Sequence, residues 1–268
     1  MIWAIIIILA ILAIIWIISF INRQYFYGLF KQGNCIVTGM KGKGKDMAFC
    51  LVINHFKENY ISNVQYSNPK KKYKRFEFDA KVWEMAGNTH ENFINDKFKK
   101  FVYPYPDGIN YYISDMGIYF PAQYATELVK KYKSAAFFQA LSRHLGNCTV
   151  NGNVQAINRV WDKIREQSEI YIRQFKCKVF FGKFVFMAGA VYEDEETCRK
   201  GVTPPNYGIG KGARDRRILW ESAHGKVKRY WFIAMIPYKY DDREFKHKLE
   251  NGCIEYSEEA TENENKKR

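Results

Sequence analysis

The eight residues Gly39-Met-Lys-Gly-Lys-Gly-Lys45-Asp46 restrict the fold more than any other stretch of the chain. They lie between a compact β-branched run, Cys35–Thr38, and a segment, Met47–Tyr60, whose apolar residues Ala48, Leu51, Val52 and Phe56 recur at helical spacing. Gly-x-x-x-x-Gly-Lys between a strand and a helix is the Walker A spacing. Its glycines let backbone N–H groups turn inward around phosphate oxygens, and the helix N-terminus adds its positive dipole. Gly39, Lys41, Gly42, Lys43, Gly44, Lys45, Asp46 and Met47 are therefore the expected nucleotide-binding residues, with Lys45 reaching the β- and γ-phosphates as a point charge. Strand-like runs at Val64–Tyr66, Tyr111–Ser114, Cys148–Val150 and Glu169–Ile172 alternate with helical stretches at Tyr124–Leu145 and Val154–Gln167. That alternation predicts an α/β domain with a mainly parallel sheet. Beyond Lys178 the pattern changes to strand-like runs Val179–Met187 and Tyr230–Tyr238, with the basic stretch Gly208–Arg217 between them expected as a hairpin loop. Glu255–Arg268 is polar and charged, the composition of a disordered tail.

The N-terminus sets a second constraint. Ile2–Ile21 reads IWAIIIILAILAIIWIISFI, with Ser19 as its only hydrophilic side chain. Twenty helical residues rise about 30 Å, the thickness of a bilayer's hydrocarbon core. No basic residue precedes the run and no small-residue cleavage site follows it, so the pattern predicts a retained transmembrane anchor. Arg23 and Lys31 follow it, which places the N-terminus outside and the body in the cytoplasm. Asn22–Gln32 reads as a juxtamembrane link. Lys and Arg outnumber Asp and Glu by 42 to 28, a net charge of +14, which favours a polyanionic partner such as nucleic acid, nucleotide or an acidic membrane face. The six cysteines form no Cys-x-x-Cys pair, and His-Glu-x-x-His and Gly-x-Ser-x-Gly are absent. Zinc-ribbon, metalloprotease and serine-hydrolase readings have no support.

Two acidic residues carry the chemistry expected around the loop. Position 46 normally holds Ser or Thr, whose hydroxyl ligates magnesium; Asp46 is also a hard oxygen ligand, and it sets a negative charge beside the phosphates. Tyr111-Tyr-Ile-Ser-Asp115 is a hydrophobic strand ending in a carboxylate, the layout that delivers a Walker B Asp to the metal. Asp46 and Asp115 are thus the expected Mg2+ ligands. Met116 follows, where many ATPases place a Glu that polarises the attacking water.

From here the order of residues resembles a known family. Asp115-Met-Gly-Ile-Tyr-Phe-Pro121, then Ala140-Leu-Ser-Arg-His-Leu-Gly146, then Asn151-Gly-Asn-Val-Gln-Ala-Ile157 is similar to the zonular occludens toxin-like (Zot) proteins, the assembly and export ATPases of filamentous phages. The resemblance covers roughly residues 34–175, and the core is also similar to DNA translocases and packaging ATPases of the FtsK/HerA class. It implies a RecA-like P-loop NTPase domain, ATP and Mg2+ as ligands, and an oligomer working with phage assembly or secretion proteins, or single-stranded DNA, at the host inner membrane. It further implies Asn151 or Asn153 as the sensor of the γ-phosphate. Arg143, Arg159 and Arg165 are candidates for an arginine finger toward a neighbouring subunit. Lys70–Arg75, five cations around one Tyr, suits a DNA backbone or anionic lipid equally. The expected organisation is an anchor at 1–22, the NTPase domain at 32–176, a β-rich extension at 177–252 and a tail at 253–268.

Overall fold

The computed structural model describes residues 2–64, 66, 73–78, 108–124, 148–205 and 211–236. The longest element is a helix, α1, Ile2–Gln32. Among the described residues it alone is long and apolar enough to cross a membrane. Its first seventeen residues are exposed, whereas Ser19, Phe26, Tyr27, Leu29 and Phe30 are buried. The expected link at Asn22–Gln32 is therefore corrected: the helix continues without a break, because its second half has an aromatic face to bury.

That face packs on an eight-stranded sheet. The strands are β1 (Cys35–Thr38), β2 (Tyr60–Ser62), β3 (Arg75–Glu77), β4 (Asn110–Ile113), β5 (Val150–Val154), β6 (Ile170–Phe180), β7 (Phe184–Tyr192) and β8 (Val227–Met235). They lie in the order β3-β2-β4-β5-β1-β6-β7-β8. The six strands from β3 to β6 pair in parallel, and β6, β7 and β8 form an antiparallel meander continuous with them. β6 runs through positions 176 and 177, with a bulge in its pairing to β7 between Gln174 and Lys176. β1, β4 and β5 are buried along their whole length, as strands of a parallel sheet covered on both faces must be. One face carries α2 (Lys45–Phe56) and the second half of α1; the other carries Met116, Phe120, Ile157, Trp161, Ile164 and Cys198.

Several local expectations are corrected. The strand near Val64–Tyr66 is Tyr60–Ser62, four residues earlier, where Tyr60, Ile61 and Ser62 are all buried in the sheet. Val154–Gln167 is not one helix: β5 takes its first residue, and only a 3₁₀ turn at Ile157–Arg159 and a short helix at Asp162–Arg165 follow. Trp161 N donates to Phe120 O and Val160 bridges Pro121, so backbone pairing to a neighbouring segment interrupts the helical ladder. The run expected as a hairpin loop at Gly208–Arg217 is, from Lys211, the start of a helix, Lys211–His224. The helical stretch Tyr124–Leu145 beyond its first residue, Lys70–Lys72 and the 253–268 tail lie outside the described residues.

Candidate nucleotide site

β1 ends at Thr38, and the chain then turns through Gly39, Gly42 and Gly44 with φ of 154°, 75° and 81° before α2 begins. Gly44, the cap of α2, needs to be glycine for a second reason: a Cβ there would stand 2.5 Å from the Cβ of Cys177 on β6. Ala48 N donates back to Gly44 O at 2.9 Å, so the helix is wound from the loop's last residue. Lys45 is buried, and its Nζ donates to Gly39 O at 3.1 Å and Met40 O at 3.4 Å. Burial pulls this ammonium below its ordinary pKa, while Asp46 and Asp115 act in the opposite direction. Lys41 is exposed and Lys43 half-buried, and Met47 points into the core.

Strand, glycine loop, Lys45 and helix therefore stand in one unit at the carboxyl edge of a parallel sheet. The chain has a P-loop α/β fold. No protein-family model matches the sequence, and no curated protein matches it. Solved structures similar to it include the N-terminal domain of zonular occludens toxin from Neisseria meningitidis, with 13% identity and TM-score 0.40 over 68% of this chain and 97% of that one. The genome packaging NTPase B204 from Sulfolobus turreted icosahedral virus 2, in complex with ATP-gammaS, matches with 12% identity and TM-score 0.35 over 55% and 77%. EssC (ATPases 2 and 3) from Geobacillus thermodenitrificans matches with 11% identity and TM-score 0.41 over 83% and 43%.

Beside the P-loop, Asp46 gathers three donors on one oxygen. Its Oδ1 accepts from Ser114 Oγ at 2.6 Å, Asn153 Nδ2 at 2.8 Å and the Tyr66 hydroxyl at 3.2 Å. Ser114 directly follows β4, and Asn153 belongs to β5, the strand between β4 and β1. Asn153 is fully buried and also ties the turn after β4 in place, accepting from the Asp115 N–H at 2.9 Å. The other asparagine of β5 does something else. Asn151 shares a strand face with Asn153 but lies two residues nearer the amino edge, and its Nδ2 donates to Thr149 Oγ1 at 2.9 Å. Of the two asparagines expected as alternatives for the sensor, Asn153 is brought to Asp46 and the turn after β4, and Asn151 is not. Between them, Gly152 leaves room for Met116, whose sulfur would stand 2.5 Å from a Cβ. Met116 is buried against β5, so position 116 is a core position and not a place for a water-polarising carboxylate.

Asp115 is exposed at the strand end in a left-handed conformation, φ 48°. It lines a cleft of about 210 Å³ with Gly117, Ile118, Val154, Gln155 and Arg159. Partial loss of water and the nearby Asp46 raise its carboxyl above the ordinary range, with Lys45 partly offsetting them. Of the arginine candidates, Arg165 is ion-paired to Glu195 and donates to Val160 O, Arg159 is exposed beside Asp115, and Arg143 lies outside the described residues. No three His, Cys, Asp or Glu side chains come together among the described residues. The oxygen donors on hand are Asp46, Ser114 and Asp115. One or two carboxylates with a hydroxyl is the sparse set that suits Mg2+ shared with nucleotide phosphates, so these residues fit the ion.

Proposed function

We propose that the chain is a membrane-anchored ATPase of filamentous-phage assembly and export, held in the membrane by the apolar half of α1. The observation that carries the nucleotide reading is the hydrogen bond between Asp46 and Ser114. In the usual P-loop arrangement the residue after the lysine is a hydroxyl and the β-strand end supplies a carboxylate, and the two meet at the metal. Here the same pair meets with its members exchanged: helix α2 carries the carboxylate and the end of β4 carries the hydroxyl. The exchange accounts for Asp46 without treating it as a defect. It also moves Asp115 one position on, to the place where other ATPases hold the water-polarising Glu.

In this reading Lys45 exchanges its loop carbonyls for phosphate oxygens, which offer it full negative charge. Asp46 and Ser114 are the residues that would hold Mg2+, which when bound neutralises charge on the β- and γ-phosphates. Asp115, with a raised pKa and open to the cleft, orients the attacking water and accepts its proton. Asn153, bonded both to Asp46 and to the backbone of Asp115, couples the phosphate end of the site to the water end. Arg159 faces outward beside Asp115, a position from which it serves either its own site or that of a neighbouring subunit in a homo-oligomer.

The phage-export reading rests on the order of the Asp115–Pro121, Ala140–Gly146 and Asn151–Ile157 segments. DNA translocation and a non-hydrolysing membrane adaptor are the alternatives. ATP turnover by the purified full chain separates the adaptor from the motors, and stimulation of turnover by single-stranded DNA favours translocation. The assignment of the loop itself is tested by ATP affinity of Lys45→Ala and Lys43→Ala in the full chain. Lys45→Ala is expected to lose most of the binding and Lys43→Ala little; equal losses, or none, would remove the assignment.

A further inference from the structure

The turn between β6 and β7 is built as an exposed aromatic cluster. The rings of Phe180 and Phe184 stack with centroids 5.7 Å apart, and Phe181 meets Phe180 edge-on at 5.8 Å. Phe181 is 88% exposed and sits at φ 51°, a left-handed conformation that bulky residues seldom adopt. Exposed Val179 and Met235 extend the apolar patch, and exposed Lys178 and Lys183 flank it. A solvated hairpin tip would ordinarily be polar.

Its place in the molecule supplies the reason. α1 runs antiparallel to β8: Lys228 lies over the Tyr25 ring, Phe26 meets Tyr230 and Phe232, and Ser19 exchanges hydrogen bonds with Ile233. Moving toward the N-terminus of α1 is therefore moving toward the C-terminal end of β8. β8 continues past Ile233 to Met235, up to about 7 Å further. Met235 pairs with Phe184, and Ile236 N donates to Lys183 O at 2.8 Å. The aromatic turn thus stands alongside the apolar run Ile2–Ile18, beyond the level of Ser19, where α1 leaves the body.

We infer that this turn is a second membrane contact, an aromatic wedge that enters the bilayer leaflet at the C-terminal end of the apolar helix. The inference rests on the reading of α1 as a membrane span. Phe rings with adjacent lysines suit the interface of an acidic bilayer, where the rings leave water and the ammonium groups stay with anionic headgroups. Two contacts, a helix and a hairpin, fix the tilt of the body where a helix alone leaves it free to rotate.

The test is photo-crosslinking in the full chain, reconstituted in phosphatidylcholine–phosphatidylglycerol vesicles. Benzoylphenylalanine replaces Phe181, or Ile11 in the apolar run, or the exposed Lys163 on the short helix that leads into β6. Adducts are identified by mass spectrometry. Phospholipid adducts at 11 and 181, several-fold above those at 163, are expected. Lipid at 11 with protein adducts or none at 181 would overturn the wedge and leave the span standing. No lipid at 11 would remove the span and the wedge with it. Equal lipid adducts at 181 and 163 would also overturn the wedge, because the whole body would then lie on the membrane.

Discussion

At the scale of single residues, the exchanged pair gives the sharpest expectation. Asp46→Ser leaves two hydroxyls facing each other, and Ser114→Asp sets two carboxylates together, which repel by about 4 kcal/mol at 4 Å and an effective dielectric near 20. Each single variant should weaken magnesium-dependent ATP binding, and Asp46→Ser should bind metal-free ATP better than the wild type. The double variant Asp46→Ser/Ser114→Asp restores a hydroxyl and a carboxylate, and is expected to recover most of the metal-dependent affinity in a titration with and without magnesium. Losses that simply add would show that the two residues do not act as a pair. A pH dependence follows from Asp115. Its folded-state carboxyl holds a proton more tightly than in the unfolded chain. That contribution to stability is complete below the unfolded-state pKa and fades as pH rises through the folded value. Asp115→Asn should therefore raise the unfolding temperature at neutral pH and raise it less, or not at all, in acid. Lys45, Asp46 and the glycines were legible in the sequence because their spacing is rigid. Ser114 was not, since a serine after a strand is ordinary until Asp46 is seen against it. Asn151 and Asn153 share a strand face, so only the register of β5 against β1 tells which one reaches the loop.

At the scale of elements, α1 is two things in one helix: an apolar rod and, from Ser19 onward, a core helix. Phe26 and Phe30 are fully buried, and Phe26 packs on both Tyr230 and Phe232. Phe26→Ala should cost about 3–5 kcal/mol. A chain lacking residues 2–18 should remain cooperatively folded in thermal unfolding, whereas one lacking 2–32 should lose its transition. If both unfold alike, the aromatic half of α1 is not part of the core. The apolar run was legible from composition alone. Its continuation was not, because Asn22, Arg23 and Gln24 interrupt the apolar pattern, and what keeps the helix going is an aromatic stripe whose partners, Tyr230 and Phe232, lie far along the chain. The same holds for Lys211–His224, whose basic, glycine-containing sequence reads as a loop and whose helix packs Trp220 against the buried core.

At the scale of the molecule, strand direction fixes the relation of the P-loop to the apolar helix. β1, β6 and β8 all run the same way, so the P-loop after β1 and the end of β8, where α1 departs, share one edge of the sheet. The P-loop opens on the edge from which the apolar helix leaves. With Arg23 and Lys31 after that helix, the body is expected to resist external protease in intact cells and to be cleaved once the membrane is ruptured. Cleavage without rupture would overturn the orientation and the cytosolic supply of ATP. The parallel alternation was legible from short apolar runs, but the strand order was not, since nothing local records that β5 separates β1 from β4.

The bond between Ser19 and Ile233 joins positions 214 apart in the chain. During synthesis at 5–20 residues per second, Ile233 follows Ser19 from the ribosome after on the order of 10–40 s. Through that interval Phe26 and Phe30 have no strand to cover them, and in the proposed reading the apolar half of α1 is already committed to lipid. The nascent body must wait with an open aromatic face until β8 arrives. Quality-control factors would meet this chain in that half-made state, and any stall in translation before Val227 leaves it permanently so.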